Sequence, residues 1–286
     1  MKLHDLHIRD PFVLPWQGIY YLYGTRCFPG GAQPYGFDVY QSRDLLDWSG
    51  PTEVFAPSPS FWSPDEHWAP EVHTYQGRFF MLATFKGSGR HRGTQILVSD
   101  VPTGPFVPHS DGAVTPWDWE CLDGTLYVEN GMPYIVFCNE WAQVVNGTIC
   151  ARPLSPDLSE PAGEAFLLFR GADPEWALKE APQWVTDGPF MYRAANGELL
   201  MLWATFAGGG YLQAVARSEN GRLDGRWSHD KELLFREDGG HGMLFRSFEG
   251  ELLLALHQPN HDPDERPHVF EVNEEDGRLM VWDQLG

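Results

Sequence analysis

The chain has 286 residues and a formal net charge of −20, with 42% hydrophobic and 21% charged residues. That mixture builds a globular body rather than a disordered one, and so negative a surface repels both nucleic acid and anionic membranes. No apolar run approaches the roughly 20 residues of a membrane helix, and residues 1–12 lack the apolar core of a signal peptide, so a cytoplasmic protein is expected.

Glycine (30), proline (23) and tryptophan (12) are plentiful. Such a composition suits many short strands joined by turns and suits long helices poorly. The cysteines Cys27, Cys121, Cys138 and Cys150 form no CxxC pair, so free, mostly buried thiols are expected rather than a zinc or redox motif. No organic cofactor is expected either.

In chain order, one unit returns five times. The first copy opens at Asp10-Pro11-Phe12, turns at Gln17-Gly18 and continues as the apolar run Ile19 to Tyr23, with strand-like segments from Phe37 to Ser42 and on to Phe55. The second opens at Ala69-Pro70-Glu71, turns at Gln76-Gly77 and runs Phe79 to Phe85, backed by Thr94 to Ser99. The third opens at Asp123-Gly124-Thr125, turns at Asn130-Gly131 and runs Tyr134 to Cys138, then Thr148 to Arg152. Asp187-Gly188-Pro189 opens the fourth, with a loop at Asn196-Gly197, the run Leu199 to Trp203, and Tyr211 to Ser218 behind it. His241-Gly242-Met243 opens the fifth, followed by Glu249-Gly250, Leu252 to His257 and His268 to Val272. Helical periodicity is weak throughout; the segment Glu175 to Glu180 amounts to little more than one turn.

Taken as equivalent, Asp10, Ala69, Asp123, Asp187 and His241 are spaced by 59, 54, 64 and 54 residues. A hairpin followed by one or two further strands, repeated at that spacing, predicts an all-β, five-bladed β-propeller formed by residues 1–286 as one domain. A pair of β-sandwiches does not explain the near-constant spacing. The innermost strand of each propeller blade runs along the central channel, so the five opening residues are expected to converge at one mouth. Any single Asp beside Gly or Pro is an ordinary turn former. Three at the same place in the repeat, with a histidine, would repel one another and point to a site.

Several acids round a pocket suit cation binding or glycoside hydrolysis, in which one carboxyl protonates the leaving oxygen and another activates water. The aromatic residues Trp16, Phe37, Trp62, Trp68, Trp117, Trp119, Trp141 and Trp184 favour a carbohydrate, whose C–H faces stack on such rings. Filling the wedges between blades is the alternative use for any one of them.

The segments Arg9–Val13 (RDPFV), His67–Val72 (HWAPEV), Leu122–Glu129 (LDGTLYVE), Thr186–Tyr192 (TDGPFMY) and Gly239–Met243 (GGHGM) resemble the blade openings of glycoside hydrolase family 43. The resemblance runs through the whole chain in order. It implies a five-bladed propeller that cleaves arabinose- or xylose-containing glycans with inversion. Position by position, it makes Asp10 the general base and Asp123 the residue that tunes and orients the acid. The family's acid, usually Glu in Glu-Gly-Pro, corresponds to Asp187, one methylene shorter. Glu180 is the other candidate acid, if its loop folds over the mouth; Glu129 and Glu140 lie further along the third copy. The resemblance also makes His241 a neighbour of a calcium ion or water cluster in the channel, with a histidine simply hydrogen-bonded there as the alternative. Beside it, Glu71 lies two residues past the shared position, on the same side by strand alternation, and is read as a supporting or structural group; Trp68 is expected to serve as a sugar platform and Arg246 to reach a hydroxyl. Loops Cys27 to Gly36, Lys86 to Gly93 and Ala207 to Gly210 would wall the pocket. Arabinose against xylose, exo against endo action, and oligomeric state stay open. Two rivals stand beside this expectation: a retaining propeller glycosidase such as a fructosidase, and a non-catalytic carbohydrate-binding propeller.

Overall fold

The computed structural model describes residues 1–28 and 34–285. Five four-stranded antiparallel sheets follow one another along the chain, each built from four consecutive strands. The first blade is β1 (Ile8–Trp16), β2 (Ile19–Arg26), β3 (Phe37–Ser42) and β4 (Trp48–Phe55). The second is β5 (Asp65–Tyr75), β6 (Arg78–Lys86), β7 (Arg92–Ser99) and β8 (Val107–Ala113). The third is β9 (Cys121–Glu129), β10 (Met132–Asn139), β11 (Thr148–Pro153) and β12 (Phe166–Arg170), with the short helix α1 (Trp141–Val144) after β10. The fourth is β13 (Asp187–Arg193), β14 (Leu199–Ala207), β15 (Gly210–Ser218) and β16 (Trp227–His229). The fifth is β17 (Gly240–Arg246), β18 (Leu252–Gln258), β19 (Arg266–Glu275) and β20 (Arg278–Gln284).

Turn chemistry sets the inner hairpins. Gln17-Gly18, Gln76-Gly77 and Asn130-Gly131 each have both residues at positive φ, the backbone of a two-residue type I′ turn whose twist matches its strands. The fourth and fifth inner hairpins use longer loops, of residues 194–198 and 247–251. Second strands are buried on both faces: Leu199 to Trp203 and Leu252 to Leu256 are wholly apolar and at most 7% exposed. Each blade is covered by its neighbours, so the alternation of a half-exposed strand disappears. The apolar clusters accordingly lie between blades: one joins blades three and four around Trp203, Phe169 and Trp227, and another joins four and five around Leu202, Leu254 and Phe235. The ring closes where β1 packs against β17 and β18. The outermost strands β8, β16 and β20 carry mixed polar sequences, and the apolar pattern does not announce them.

At the head of every inner strand the ladder is interrupted. Regular pairing skips from Arg9 to Phe12, Trp68 to Glu71, Asp187 to Phe190 and Gly240 to Met243; in blade three, Leu122 and Thr125 flank the same gap. Inside these bulges the first residue is left-handed: φ is 52° at Asp10, 46° at Ala69, 56° at Asp123, 48° at Gly188 and 52° at His241. Such bulges re-aim side chains at the ends of strands. The equivalence expected from sequence therefore needs one correction. The structural counterpart of Asp10 in blade four is Gly188, and Asp187 stands one residue earlier, in the place held by Arg9, Trp68, Leu122 and Gly240. Asp-Gly-Pro looked like Asp10-Pro11-Phe12 in sequence, but the left-handed position fell on the glycine, which adopts it without strain.

Candidate active site

A pocket of about 770 Å³ opens at this mouth of the channel and is lined by Asp10, Asp123, Asp187 and His241 together with Arg9, Trp68, Glu140 and Glu265. The structure thus gathers five of the expected residues, Asp10, Trp68, Asp123, Asp187 and His241, in one cavity although they come from five blades.

A left-handed bulge turns its N–H away from the strand ladder, and a buried N–H needs another acceptor. Side chains near the head of a neighbouring blade supply it. Thr25 Oγ1 accepts the Ala69 N–H at 2.7 Å, Thr84 Oγ1 accepts that of Asp123 at 2.9 Å, and His257 Nδ1 accepts that of Asp10 at 3.2 Å. In blade four the Gly188 N–H donates to Asp123 Oδ2 at 3.0 Å, and Gln213 Oε1 takes the N–H of Gly242 at 2.6 Å. These bonds stitch blade to blade around the pocket floor.

Asp10 is 5% exposed. Its Oδ2 accepts from Thr25 Oγ1 at 2.6 Å, and its Oδ1 lies 3.3 Å from Arg9 Nε and 3.2 Å from His241 Nδ1. Burial alone would raise its carboxyl, but the Arg9 guanidinium, the His241 imidazole and the Thr25 hydroxyl outweigh it and hold the group well below the usual carboxylate range. Asp123, also buried, is pushed up to about 8 by burial and by the Asp10 charge, against the opposing Gly188 N–H. Asp187 is pushed up to about 7 by burial and by Asp123, partly offset by His241, Arg9 and the hydroxyl of Tyr211, which donates to its Oδ2 at 3.1 Å. His241 bridges the group, its Nδ1 3.7 Å from Asp123 Oδ2. Its ring rests on Gly188, where a Cβ would come within 2.7 Å of Cδ2 and Cγ.

Other expected residues take different places. Glu180 is exposed and does not line the pocket, although its neighbours Ala181, Pro182 and Gln183 do. Glu71 is buried one layer down the channel, where it accepts from His73 Nε2 at 2.9 Å and faces a small cavity with Asp10, Gly188 and His241. Arg246 lies at the far end of β17, where it lines the opposite mouth with Phe12 and Phe245 and donates to the Gly250 carbonyl. The strand is seven residues long, so its end cannot reach the residues at its head. Glu129, equally distant, accepts the Leu223 N–H. Glu140 does line the pocket: Arg92 Nη1 donates to it at 2.7 Å, and burial raises its carboxyl. The Arg92 guanidinium also covers one face of Trp68, 4.6 Å from the ring centroid.

Of the eight aromatic residues expected to crowd the mouth, Trp68 and Trp141 line the pocket. Phe37 is fully buried in the core, Trp16 meets Phe79 edge-on, Trp62 donates to Gln95, Trp117 meets Trp62 edge-on, Trp119 packs on Phe137, and Trp184 donates to the Leu178 carbonyl. Phe28, Leu178 and Phe206 supply apolar wall instead. Of the expected wall loops, Cys27, Phe28 and Pro34 contribute, while residues 29–33 of the stretch Cys27 to Gly36 lie outside the described residues. Lys86 to Gly93 stands behind the wall, where Lys86 and Arg92 hold Glu120. Phe206 lines the pocket just before Ala207 to Gly210.

Sequence reasoning missed Thr25, Thr84, Tyr211, His257 and the β18–β19 loop, which brings Asn260, Asp262 and Glu265 to the pocket. A faint signal existed: Thr25, Thr84 and His257 are polar residues at the ends of otherwise apolar runs. All four cysteines are buried and free, as expected.

For a channel cation, the described residues gather no set of three ligating side chains at His241. The one such set among them, Cys27, Asp262 and Glu265, lies in the pocket wall.

What the arrangement offers is one firmly ionised carboxylate beside two carboxyls that keep a proton near neutrality, in a buried pocket with aromatic and apolar walls. Comparison with known proteins places the whole chain among similar ones. The solved endo-arabinase of Bacteroides thetaiotaomicron is 36% identical, superposes with a TM-score of 0.89 and matches over 97% of this chain and 98% of its own. An endo-1,4-β-xylanase from the same organism shares the fold at 20% identity, TM-score 0.80, over 98% of this chain and 96% of that one. An α-L-arabinofuranosidase 43 of Humicola insolens is 34% identical over 79 residues, which span 27% of this chain and 16% of that protein. The model of glycosyl hydrolases family 43 matches residues 5–276, and the chain belongs to that family.

Proposed function

We propose that the protein is an inverting glycosidase acting on arabinofuranosyl linkages, with Asp10 as general base, Asp187 as general acid and Asp123 orienting and tuning the acid. The observation that carries this is the separation of the carboxyls: Asp10 is held ionised by Arg9 and Thr25, while burial and mutual repulsion hold Asp187 and Asp123 up to about 7 and about 8. Two carboxyls whose surroundings drive them apart suit opposite halves of acid–base catalysis. Asp10 would take the proton of the attacking water as Asp187 delivers its own to the leaving oxygen. The glycosidic C–O bond breaks as the water's C–O bond forms on the opposite face, which inverts the anomeric centre. Afterwards Asp10 holds the proton and Asp187 is ionised, and exchange with solvent resets both. The shorter Asp is compensated by placement: the bulge sets it at the pocket wall with Tyr211 on one oxygen. Glu180, exposed and outside the lining, has no comparable setting.

Arabinose is favoured over xylose because the 36%-identical relative is an endo-arabinase. The pocket volume, in the upper range of pockets that hold drug-sized ligands, leaves room for more than one sugar ring. The test is hydrolysis of arabinan oligosaccharides and aryl pentosides, with the anomer of the first product read by NMR. Asp10→Asn is expected to reduce turnover by about 10²–10⁴-fold and to leave sugar binding nearly intact. A retained anomeric configuration overturns the mechanism in favour of a retaining glycosidase, and binding without release makes the protein a carbohydrate-binding propeller. Full activity of Asp10→Asn removes Asp10 as base.

A further inference from the structure

The bond between Tyr211 and Asp187 has a consequence for the direction of proton transfer. Tyr211, the second residue of β15, is 1% exposed, so its hydroxyl has no recourse to bulk water. That hydroxyl donates to Asp187 Oδ2 at 3.1 Å. Its ring is clamped. On one side it stacks on His257, with centroids 5.5 Å apart and planes 17° from parallel. Phe206 is tilted against it at 4.9 Å, and Gly240 leaves so little space that a Cβ there would come within 2.7 Å of the Tyr211 ring. His257 is itself immobilised. It is fully buried, its Nδ1 accepts the Asp10 N–H, and its Nε2 lies 3.0 Å from Asn260 Oδ1. Acceptance at Nδ1 places the ring proton on Nε2, so Asn260 Oδ1 accepts it and the tautomer is set. Asp10 and Asp187, one from the first blade and one from the fourth, are thus braced by the same stacked pair.

We propose that Tyr211 is the positioning residue of the acid: its hydroxyl commits Asp187 Oδ2 as an acceptor, so that the transferable proton is carried on Oδ1 and presented to the leaving oxygen. A carboxyl has two oxygens, and only one geometry serves the transfer. With Oδ2 filled by a fixed donor, the proton has one place left. Once the proton has gone to the leaving group, the same hydroxyl stabilises the carboxylate left behind, a charge-assisted bond stronger than the neutral one before it. Tyr211 neither gives nor takes a proton in the step. It acts through Asp187, and the proposal rests on the assignment of Asp187 as the acid.

The measurement compares two substrates with the same sugar: an oligosaccharide, whose leaving alcohol needs protonation, and a dinitrophenyl glycoside, whose phenolate leaves without help. Tyr211→Phe keeps the ring, its stack and its volume, so the fold is expected to survive, as a thermal melt checks. On the oligosaccharide its kcat should fall roughly ten- to a hundredfold, the range of one hydrogen bond to a charged group, with KM nearly unchanged. On the activated glycoside the loss should nearly vanish. Equal losses on both substrates overturn the proposal, because a merely structural role would slow every substrate alike. Should Tyr211→Phe fold poorly, fluorotyrosine placed at position 211, a stronger donor in the same shape, gives an independent reading; a kcat ratio between the two substrates that stays at the parent value overturns the proposal. Asp187→Ala, measured alongside, separates the two levels. If its defect does not depend on the leaving group, Asp187 is not the acid and both assignments fall. If its defect does depend on the leaving group and that of Tyr211→Phe does not, the positioning role alone falls.

Discussion

Gly188→Ala tests the geometry of the site without reference to the reaction. Residue 188 has φ of +48°, where an added Cβ costs about 1–2 kcal/mol of backbone strain. The same Cβ would lie 2.7 Å from His241 Cδ2 and Cγ and 3.0 Å from its Cα. A flexible side chain could swing away, but the Cα belongs to the floor of blade five, so relief requires the blades to part. Overpacking of this kind costs a further 1–3 kcal/mol or so. The sum, about 2–5 kcal/mol, corresponds to a fall in Tm of about 4–10 °C for a chain of this length. Displacement of His241 should also loosen its 3.2 Å contact with Asp10 and the Gly188 N–H bond to Asp123, so kcat/KM should drop with stability. Gly197→Ala serves as the control. Gly197 has φ of +90° and nothing within 4 Å of its Cβ position, so its variant carries strain alone. The assay is a thermal melt of both variants beside the parent, with hydrolysis rates. Equal shifts for the two would refute the packing of Gly188 on His241, and a Gly188→Ala protein that melts and turns over like the parent would refute the site geometry altogether.

Two further outcomes follow from the electrostatics and the stitching. A carboxyl whose folded value is raised stabilises the fold below its unfolded value near 4 and loses that contribution as pH rises through its folded value; for Asp123 that window runs from about 4 to about 8. Asp123→Asn, neutral at every pH, should therefore melt higher than the parent at pH 8 and lose that advantage near pH 4, and a variant that is less stable at pH 8 would contradict the buried repulsion. Thr25→Val removes both the donor to Asp10 Oδ2 and the acceptor of the Ala69 N–H; leaving those buried groups unpaired should cost about 1–3 kcal/mol in chemical denaturation, and an unchanged midpoint would show that the stitch contributes nothing.

The sequence by itself determined the five blades. Type I′ turn pairs such as Asn130-Gly131, the apolar second strands and the near-constant spacing are local signals, and local chemistry is enough to specify a hairpin. It also brought forward Asp10, Asp123 and His241, because a repeat exposes residues that share a place in it. The outer strands β8, β16 and β20 escaped because an edge strand with one covered face has no strong pattern. Tertiary structure alone decided three things. The bulge in β13 fell on Gly188, which moved Asp187 off the shared position and onto the pocket wall beside Tyr211. Of the seven tryptophans expected at the mouth, Trp68 and Trp141 alone line the pocket. The partners of the carboxylates came from far along the chain: Asp10 meets His257 across 247 residues, and Gly188 meets Asp123 across 65. The first contact exists only when the fifth blade packs on the first, and the second only when the fourth packs on the third. No spacing in the sequence encodes the closing of a ring; the shape of the interblade core does.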